Sequence, residues 1–565
     1  MKKATDLLVI FLKKEKGKLA LAMLILAAHA VVRTYSSAYV SRIVENIQTG
    51  QALKNVLMLA LAGAVVACSA YVLRFWGSAI IIRLSEKLAR ETRCTLMKHL
   101  CRIPWITYEG LQTGQLQAVI RNDVQQGADM IYSIFSRIGL NVLLFAANFV
   151  YMAIISPALA VLVAGFTLVM AFINQKILTR QKYYRKLSRD AAGEVSETVL
   201  GTCKGMGTVK AYDAGHFILS LFKEKKKKYN DAMYRSEVVD AQRLSAYNLT
   251  SNFILYASVL YLGNQGIQGK LNWGDILVFI LLIRQISITA EVIFRWMSNV
   301  ATGLAAWERV KEIMQIPEET ADTGKLPEPQ KELCAENIAF RYGQQPDILR
   351  GQKIRIRRGE VAALMGESGS GKTTLCKAIC GLYPPKDTDA YRFDVEWELD
   401  GNIQRTGKAA AEEIPMRLTE RSDWQSGIVK WCAYSPATPQ LFHMSIYENI
   451  VFDRTEITRE ECLALADELG AGDFIRGLPE GIDTIVEAGG KAFSGGQRQV
   501  IMNMRALLSG KKFLILDEAF ASLDVDKCDR LMHYLQNKEQ DRFILLVLHQ
   551  RQLAECCQNK IYLKA

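Results

Sequence analysis

Six apolar stretches, at residues 19–40, 56–76, 131–155, 158–177, 249–262 and 276–293, fall within the first 293 residues of this chain. A run of about 20 mainly apolar residues crosses the hydrocarbon core of a bilayer as a helix. In lipid each backbone N–H and C=O must be satisfied inside its own segment, so the helix is the form such runs take. The fifth stretch is short, but Ala246 and Tyr247 continue its helical pattern backwards. Ser156-Pro157 separates the third stretch from the fourth by a tight break. The pattern predicts an all-α polytopic membrane domain of six transmembrane helices.

The connections carry the next constraint. About 55 residues separate spans two and three, and about 70 separate four and five. Both connections read as helical, the first interrupted at Ile103-Pro104-Trp105, the second by Gly201, Gly205 and Gly207. Both are rich in Lys and Arg, among them Lys98, Arg102, Lys204, Lys210 and Lys225, whereas 41–54 and 263–274 are short and less basic. Lys and Arg accumulate on the cytoplasmic side, which places the N-terminus and both long loops in the cytoplasm of a cell membrane. Basic, amphipathic residues 1–18 lack a cleavage pattern and read as an interfacial helix leading into the first span.

The formal charge of +12 is accounted for by these cytoplasmic faces. No basic face interleaved with aromatics is present, so nucleic acid is not an expected partner. Lys223 to Lys228, broken by Glu224, read as a solvated helix face. With 50% hydrophobic and 23% charged residues the chain is not disordered. Its 12 cysteines include no CxxC pair and are expected to be reduced thiols rather than metal ligands.

A polar segment with two prolines, 318–332, reads as a linker. It divides a membrane domain, 1–317, from a soluble domain, 333–565, of α/β type. Strand-like runs at 335–342, 353–356 and 361–365 lead into Gly366-Glu367-Ser368-Gly369-Ser370-Gly371-Lys372-Thr373-Thr374, followed by a helix at 375–379. This is the pattern G-x-x-x-x-G-K-[ST] in its strand–loop–helix setting. The glycines let successive N–H groups face phosphate oxygens, and the helix N-terminus adds its dipole. Lys372 suits the β- and γ-phosphates, and the Thr373 hydroxyl suits Mg²⁺. A second apolar strand, 512–516, ends at Asp517-Glu518. Asp517 suits the metal shell, and Glu518 suits orientation or deprotonation of an attacking water. ATP and Mg²⁺ are the cofactors these elements call for.

Here the sequence resembles the ATP-binding cassette (ABC) transporters. Phe493-Ser494-Gly495-Gly496-Gln497 is similar to their LSGGQ signature with Phe for Leu. Ala521-Ser522-Leu523-Asp524 is similar to the D-loop, His549 matches the switch histidine, and Tyr342 matches the aromatic that stacks on adenine. These elements stand in the family's order. In the membrane half, Tyr108-Glu109-Gly110-Leu111-Gln112-Thr113-Gly114, Arg121-Asn122-Asp123 and Val209-Lys210-Ala211-Tyr212 are similar to the two cytoplasmic loops of its exporter type. The resemblance implies a half-transporter, six spans fused to one cassette, that works in the bilayer as a homo- or heterodimer. It also implies that the P-loop of one cassette faces Ser494–Gln497 of the other, with ATP clamped between. Hydrolysis would then drive alternating access and outward movement of a peptide, lipid or amphipathic molecule. Uptake of a metal–chelator complex and a regulatory subunit that transports nothing are the two rival readings.

Three departures stand out from the family pattern. Alignment on Leu441-Phe442 and Ser445–Ile450 puts Ala437 where the family carries its Q-loop glutamine, with Gln440 three residues on. Gly489-Gly490-Lys491 replaces a charged loop, leaving Glu487 as its carboxylate. Lys372 and Ala437 are 65 positions apart, so extra residues are expected within 383–427 on the cassette's β-rich edge. These departures favour pairing with a different, more regular half-transporter. Polar residues in or near spans are His29, Arg33, Arg137, Asn141, Asn148, Arg284, Gln285, Glu291 and Arg295. Such groups face cavities or each other. Arg284, Glu291 and Arg295 share a helical face, read either as an ion pair or as a cavity wall, with Arg284 the expected cavity residue.

Overall fold

The computed structural model describes residues 3–269, 271–318, 331–383, 391–399, 402–406, 431–487, 489–490 and 492–563. The chain divides into two compact units. One comprises Met1–Lys98 and Thr113–Ile316; the other comprises His99–Gln112 and Pro317–Ala565. Of the linker expected at 318–332, residues 319–330 lie outside the described residues, and Glu332 already opens the first strand.

The first unit is helical throughout. Among the described residues four helical segments are apolar and long enough to cross a membrane: Lys16–Gln48, Leu53–Leu100, Thr113–Ile155 and Trp273–Met314. The fourth and fifth apolar stretches fall within the helices Pro157–Lys204 and Gly215–Ile267. The 48 residues of Leu53–Leu100 give a helix about 72 Å long, more than twice the hydrocarbon thickness. The first segment bends at Ser36-Ser37, whose hydroxyls donate to the carbonyls of Arg33 and Thr34, both at 2.6 Å. Pro157 takes the first helical position after an extended Ser156, as its missing N–H allows.

Several polar groups inside this unit find partners on other segments. His29 Nδ1 lies 2.7 Å from the carbonyl of Ala70. Thr34 donates to Asn148 at 2.8 Å, and Ser85 donates to the Ala128 carbonyl at 2.8 Å. Arg309 grips Asp123 through two hydrogen bonds, at 2.8 and 2.6 Å. Arg295 binds Glu291 on its own helix, so the ion-pair reading holds for these two residues. Small residues bring the helices close. A Cβ on Gly127 would meet the Trp307 ring at 2.6 Å, and one on Gly303 would meet Met130 at 2.7 Å.

The second unit contains two sheets. The strands are β1 (Glu332–Tyr342), β2 (Leu349–Arg357), β3 (Val361–Gly366), β4 (Tyr391–Leu399), β5 (Asn402–Thr406), β6 (Cys432–Ser435), β7 (Phe513–Asp517), β8 (Phe543–Val547) and β9 (Asn559–Leu563). An antiparallel sheet runs β2-β1-β4-β5, and a parallel one runs β6-β7-β8-β3-β9. β7 and β8 are buried along their whole length, the near-continuous apolar run that a strand covered on both faces requires. β4 and β5 fall within 383–427, where extra residues are expected; 384–390, 400–401 and 407–427 lie outside the described residues. The short helix Trp105–Glu109 belongs to this unit, where Trp105 and Ile106 pack on the cluster containing Phe340, Leu375 and Tyr383.

Candidate functional site

The carboxyl ends of β3, β7 and β8 lie side by side, and the loops leaving them carry the candidate chemistry. After β3 the chain turns through Gly369 and Gly371, at φ 84° and 90°, values that favour glycine. Gly371 caps the helix Lys372–Ile379, three residues earlier than the helix expected at 375–379. The Lys372 ammonium folds back over the loop and donates to the carbonyls of Gly366 and Glu367 at 2.9 and 2.8 Å. Ser370 Oγ is buried with no partner among the described residues.

Asp517 ends β7 and is fully buried. Its Oδ2 accepts from Thr373 Oγ1 at 3.0 Å and from Tyr434 Oη at 3.1 Å, while Oδ1 is orphaned. Burial pushes this carboxyl above its ordinary range, against the pull of the two hydroxyls. A buried oxygen without a donor, on a carboxylate bonded to the Thr373 hydroxyl, fits a divalent cation, for which carboxylate and hydroxyl oxygens are suitable ligands. Glu518 follows at φ 53°, a left-handed conformation uncommon for a side chain of this size. It faces His549 after β8, with His549 Nε2 and Glu518 Oε1 3.0 Å apart. The pair is partly exposed, so water can reach it.

Tyr342 closes β1, and its hydroxyl lies 3.4 Å from Thr374 Oγ1. Its Oη also donates to Tyr383 at 3.3 Å, and Tyr383 donates in turn to Glu109 at 2.6 Å. Lys377 holds the other oxygen of Glu109 at 2.7 Å. Burial pulls the Glu109 carboxyl up, but the bonds from Lys377 and Tyr383 outweigh it and hold Glu109 below the ordinary range. The sequence pointed to Tyr342, and to Glu109 as part of a cytoplasmic-loop motif, but not to Tyr383 or Tyr434. No local pattern marks them, because their partners stand far away in the chain. Tyr383→Phe removes the donor to a charged carboxylate and is expected to destabilise the cassette by about 1.5–3 kcal/mol. A fall in the unfolding temperature of the solubilised chain checks this.

The remaining predicted residues sit elsewhere. Ser494 caps the helix Gly495–Leu507 and exchanges hydrogen bonds with Gln497, at 3.2 and 2.8 Å. Gly495 and Gly496 lie against Ser522; a Cβ on Gly496 would meet the Ser522 carbonyl at 2.6 Å. Among the described residues no hydrogen bond joins Ser494–Gln497 to Gly366–Thr374. Gly489 and Gly490 turn at φ 78° and 65°, and Lys491 lies outside the described residues. Ala437 follows β6 and brings no polar side chain to the site.

Residues 19–289 match the family model for the ABC transporter transmembrane region, and residues 349–521 match the model described as ABC transporter. The chain belongs to the ABC transporters. It joins one membrane domain to one cassette, the build of a half-transporter. It is 27% identical to the mitochondrial potassium channel ATP-binding subunit of Xenopus tropicalis, over 92% of this chain and 72% of that protein. It is also 27% identical to an ATP-dependent lipid A-core flippase of Alkalilimnicola ehrlichii, over 85% of this chain and 78% of that protein. The structure of a bacterial Atm1-family ABC exporter with ATP bound has the same fold. Its TM-score is 0.77 at 19% identity, covering 98% of this chain and 94% of that one. This ABC chain is thus a multi-pass membrane protein with an ATP-binding cassette of the exporter fold.

Proposed function

We propose that this chain is one half of an ATP-hydrolysing efflux pump in the cell membrane, with its N-terminus and cassette in the cytoplasm. The observation that carries the reading is the assembly of Lys372, Thr373, Asp517, Glu518 and His549 at the ends of three adjacent parallel strands. Backbone amides of Gly369–Thr374, at a helix N-terminus, and the Lys372 ammonium hold the triphosphate. Tyr342 offers its ring to adenine. Thr373 and Asp517 hold Mg²⁺, which neutralises charge on the phosphate oxygens when bound. Glu518 accepts a proton from the attacking water, and His549 fixes that carboxylate and supports the γ-phosphate. Ser494–Gln497 serve the site of a second half-transporter; among the described residues no hydrogen bond ties them to the P-loop of their own chain. That partner is a second copy or, given Ala437, a different half-transporter.

The membrane unit supplies a candidate cargo class. A cavity of about 360 Å³ is lined by Tyr71, Arg74, Phe75, Tyr132, Ser136 and Arg137, with no carboxylate on its wall among the described residues. The Arg137 guanidinium lies over the Tyr132 and Trp296 rings, at 5.2 and 5.0 Å, and its Nε is buried without a partner. Arg137 also sits in a π-turn, Ser133–Gly139, a form found often at functional sites. Two cations among aromatic walls suit an amphiphile with an acidic head. Arg284, the cavity residue expected from sequence, is exposed and lines no described cavity.

Lysophosphatidate is therefore expected to stimulate ATP hydrolysis by the reconstituted chain, and Arg137→Gln to weaken its half-maximal effect about tenfold, the loss of one charge-assisted hydrogen bond. Equal stimulation by lysophosphatidylcholine, or an unchanged response in Arg137→Gln, contradicts this cargo class. A second reading, a nucleotide-gated subunit that transports nothing, draws on Ala437. Hydrolysis that rises with cargo counts against it.

A further inference from the structure

Tyr434 is the one residue on Asp517 for which the proposed reaction has no use. It lies on β6, in register with Ile515 of β7, two residues before Asp517 on the neighbouring strand. From there its hydroxyl reaches the Asp517 carboxylate. Tyr434 is partly buried and packs against the core cluster that holds Trp431, Cys432, Cys376 and Cys380. Burying a phenol hydroxyl in such a place is costly unless it is bonded. Here the bond goes to the residue best suited to hold the cation.

We propose that Tyr434 is a positioning residue of the metal site, fixing the Asp517 carboxylate so that Oδ1 stays free for the cation. Tyr434 and Thr373 both donate to Oδ2, which leaves Oδ1 the oxygen without a protein donor. A fully buried carboxylate held by two donors on one side has one way to face. With the Tyr434 hydroxyl gone, Thr373 alone holds it, and the ring of the carboxylate's possible rotamers opens. Groups that hydrogen-bond a metal ligand from behind typically change metal affinity 10- to 100-fold when removed. Ala437, three residues further on, has only a methyl group to offer, so the strand residue is the polar contribution of this segment to Asp517.

The inference rests on the Mg-nucleotide reading, and the test separates the two. The full chain in lipid nanodiscs is titrated with Mn²⁺ in the presence of a non-hydrolysable ATP analogue, and free Mn²⁺ is followed by electron paramagnetic resonance. Tyr434→Phe keeps the ring and its packing. It is expected to weaken Mn²⁺ about tenfold, while binding of trinitrophenyl-ATP in EDTA stays within twofold of wild type. Mn²⁺ affinity unchanged in Tyr434→Phe overturns the inference. So does an equal loss of nucleotide affinity in EDTA, which marks a purely structural role. If the wild-type chain takes up no Mn²⁺ with nucleotide, the reading of the site itself falls.

Discussion

Glu518→Gln is expected to lower steady-state ATP hydrolysis by roughly 10²- to 10⁴-fold, the range a positioned general base contributes, and to leave ATP bound. The substitution preserves the size of the side chain and takes away its capacity to accept a proton. Its neighbours are unaffected: Asp517 keeps its two hydroxyl donors, and Lys372 keeps its loop carbonyls. His549 faces the changed group at 3.0 Å and retains an amide oxygen to bond. The loss should therefore fall in the turnover number, with nucleotide affinity little changed. Radiolabelled ATP retained after gel filtration of the variant, against ADP retained by wild type, reads this directly. Residual hydrolysis equal to wild type would reject Glu518 as the base.

Lys372→Ala is expected to weaken ATP binding by one to two orders of magnitude. A charge-assisted hydrogen bond is worth about 1.5–3 kcal/mol, and this ammonium is the cation held within the loop. In the structure its donors are taken by the Gly366 and Glu367 carbonyls. Those two bonds pin the loop in the curl that lines up its amides. Removing the side chain thus deletes a charge and relaxes the cradle together, so affinity should drop more than for an exposed lysine. Fluorescent-nucleotide titration of wild type and variant measures it, and equal affinities would remove Lys372 from the phosphate site.

How far the sequence carried this picture depends on the range of the physics. Spans were legible because a bilayer demands about 20 apolar residues in a row, and the P-loop because glycine, lysine and threonine must be neighbours there. Four of the six apolar stretches fall, among the described residues, in helical segments apolar and long enough to cross a membrane, while the fourth and fifth fall within the helices Pro157–Lys204 and Gly215–Ile267. Contacts between distant segments were not legible. Tyr383 meets Glu109 from 274 positions away, and Tyr434 meets Asp517 from 83. Arg74 carried a signal that the reading passed over: it is a charged residue inside the apolar stretch 56–76, and it lines the cavity with Arg137. The short helix Trp105–Glu109 falls in the same compact unit as the cassette, because Trp105 and Ile106 find their apolar partners in the cluster around Tyr383.

The most direct measurement is ATP-driven accumulation of fluorescent lysophosphatidate in inside-out membrane vesicles carrying the wild-type chain, Lys372→Ala or Glu518→Gln. Accumulation that requires hydrolysable ATP and disappears in both variants is the expected result. Accumulation that persists in Lys372→Ala, or that ADP supports as well as ATP, would contradict the account.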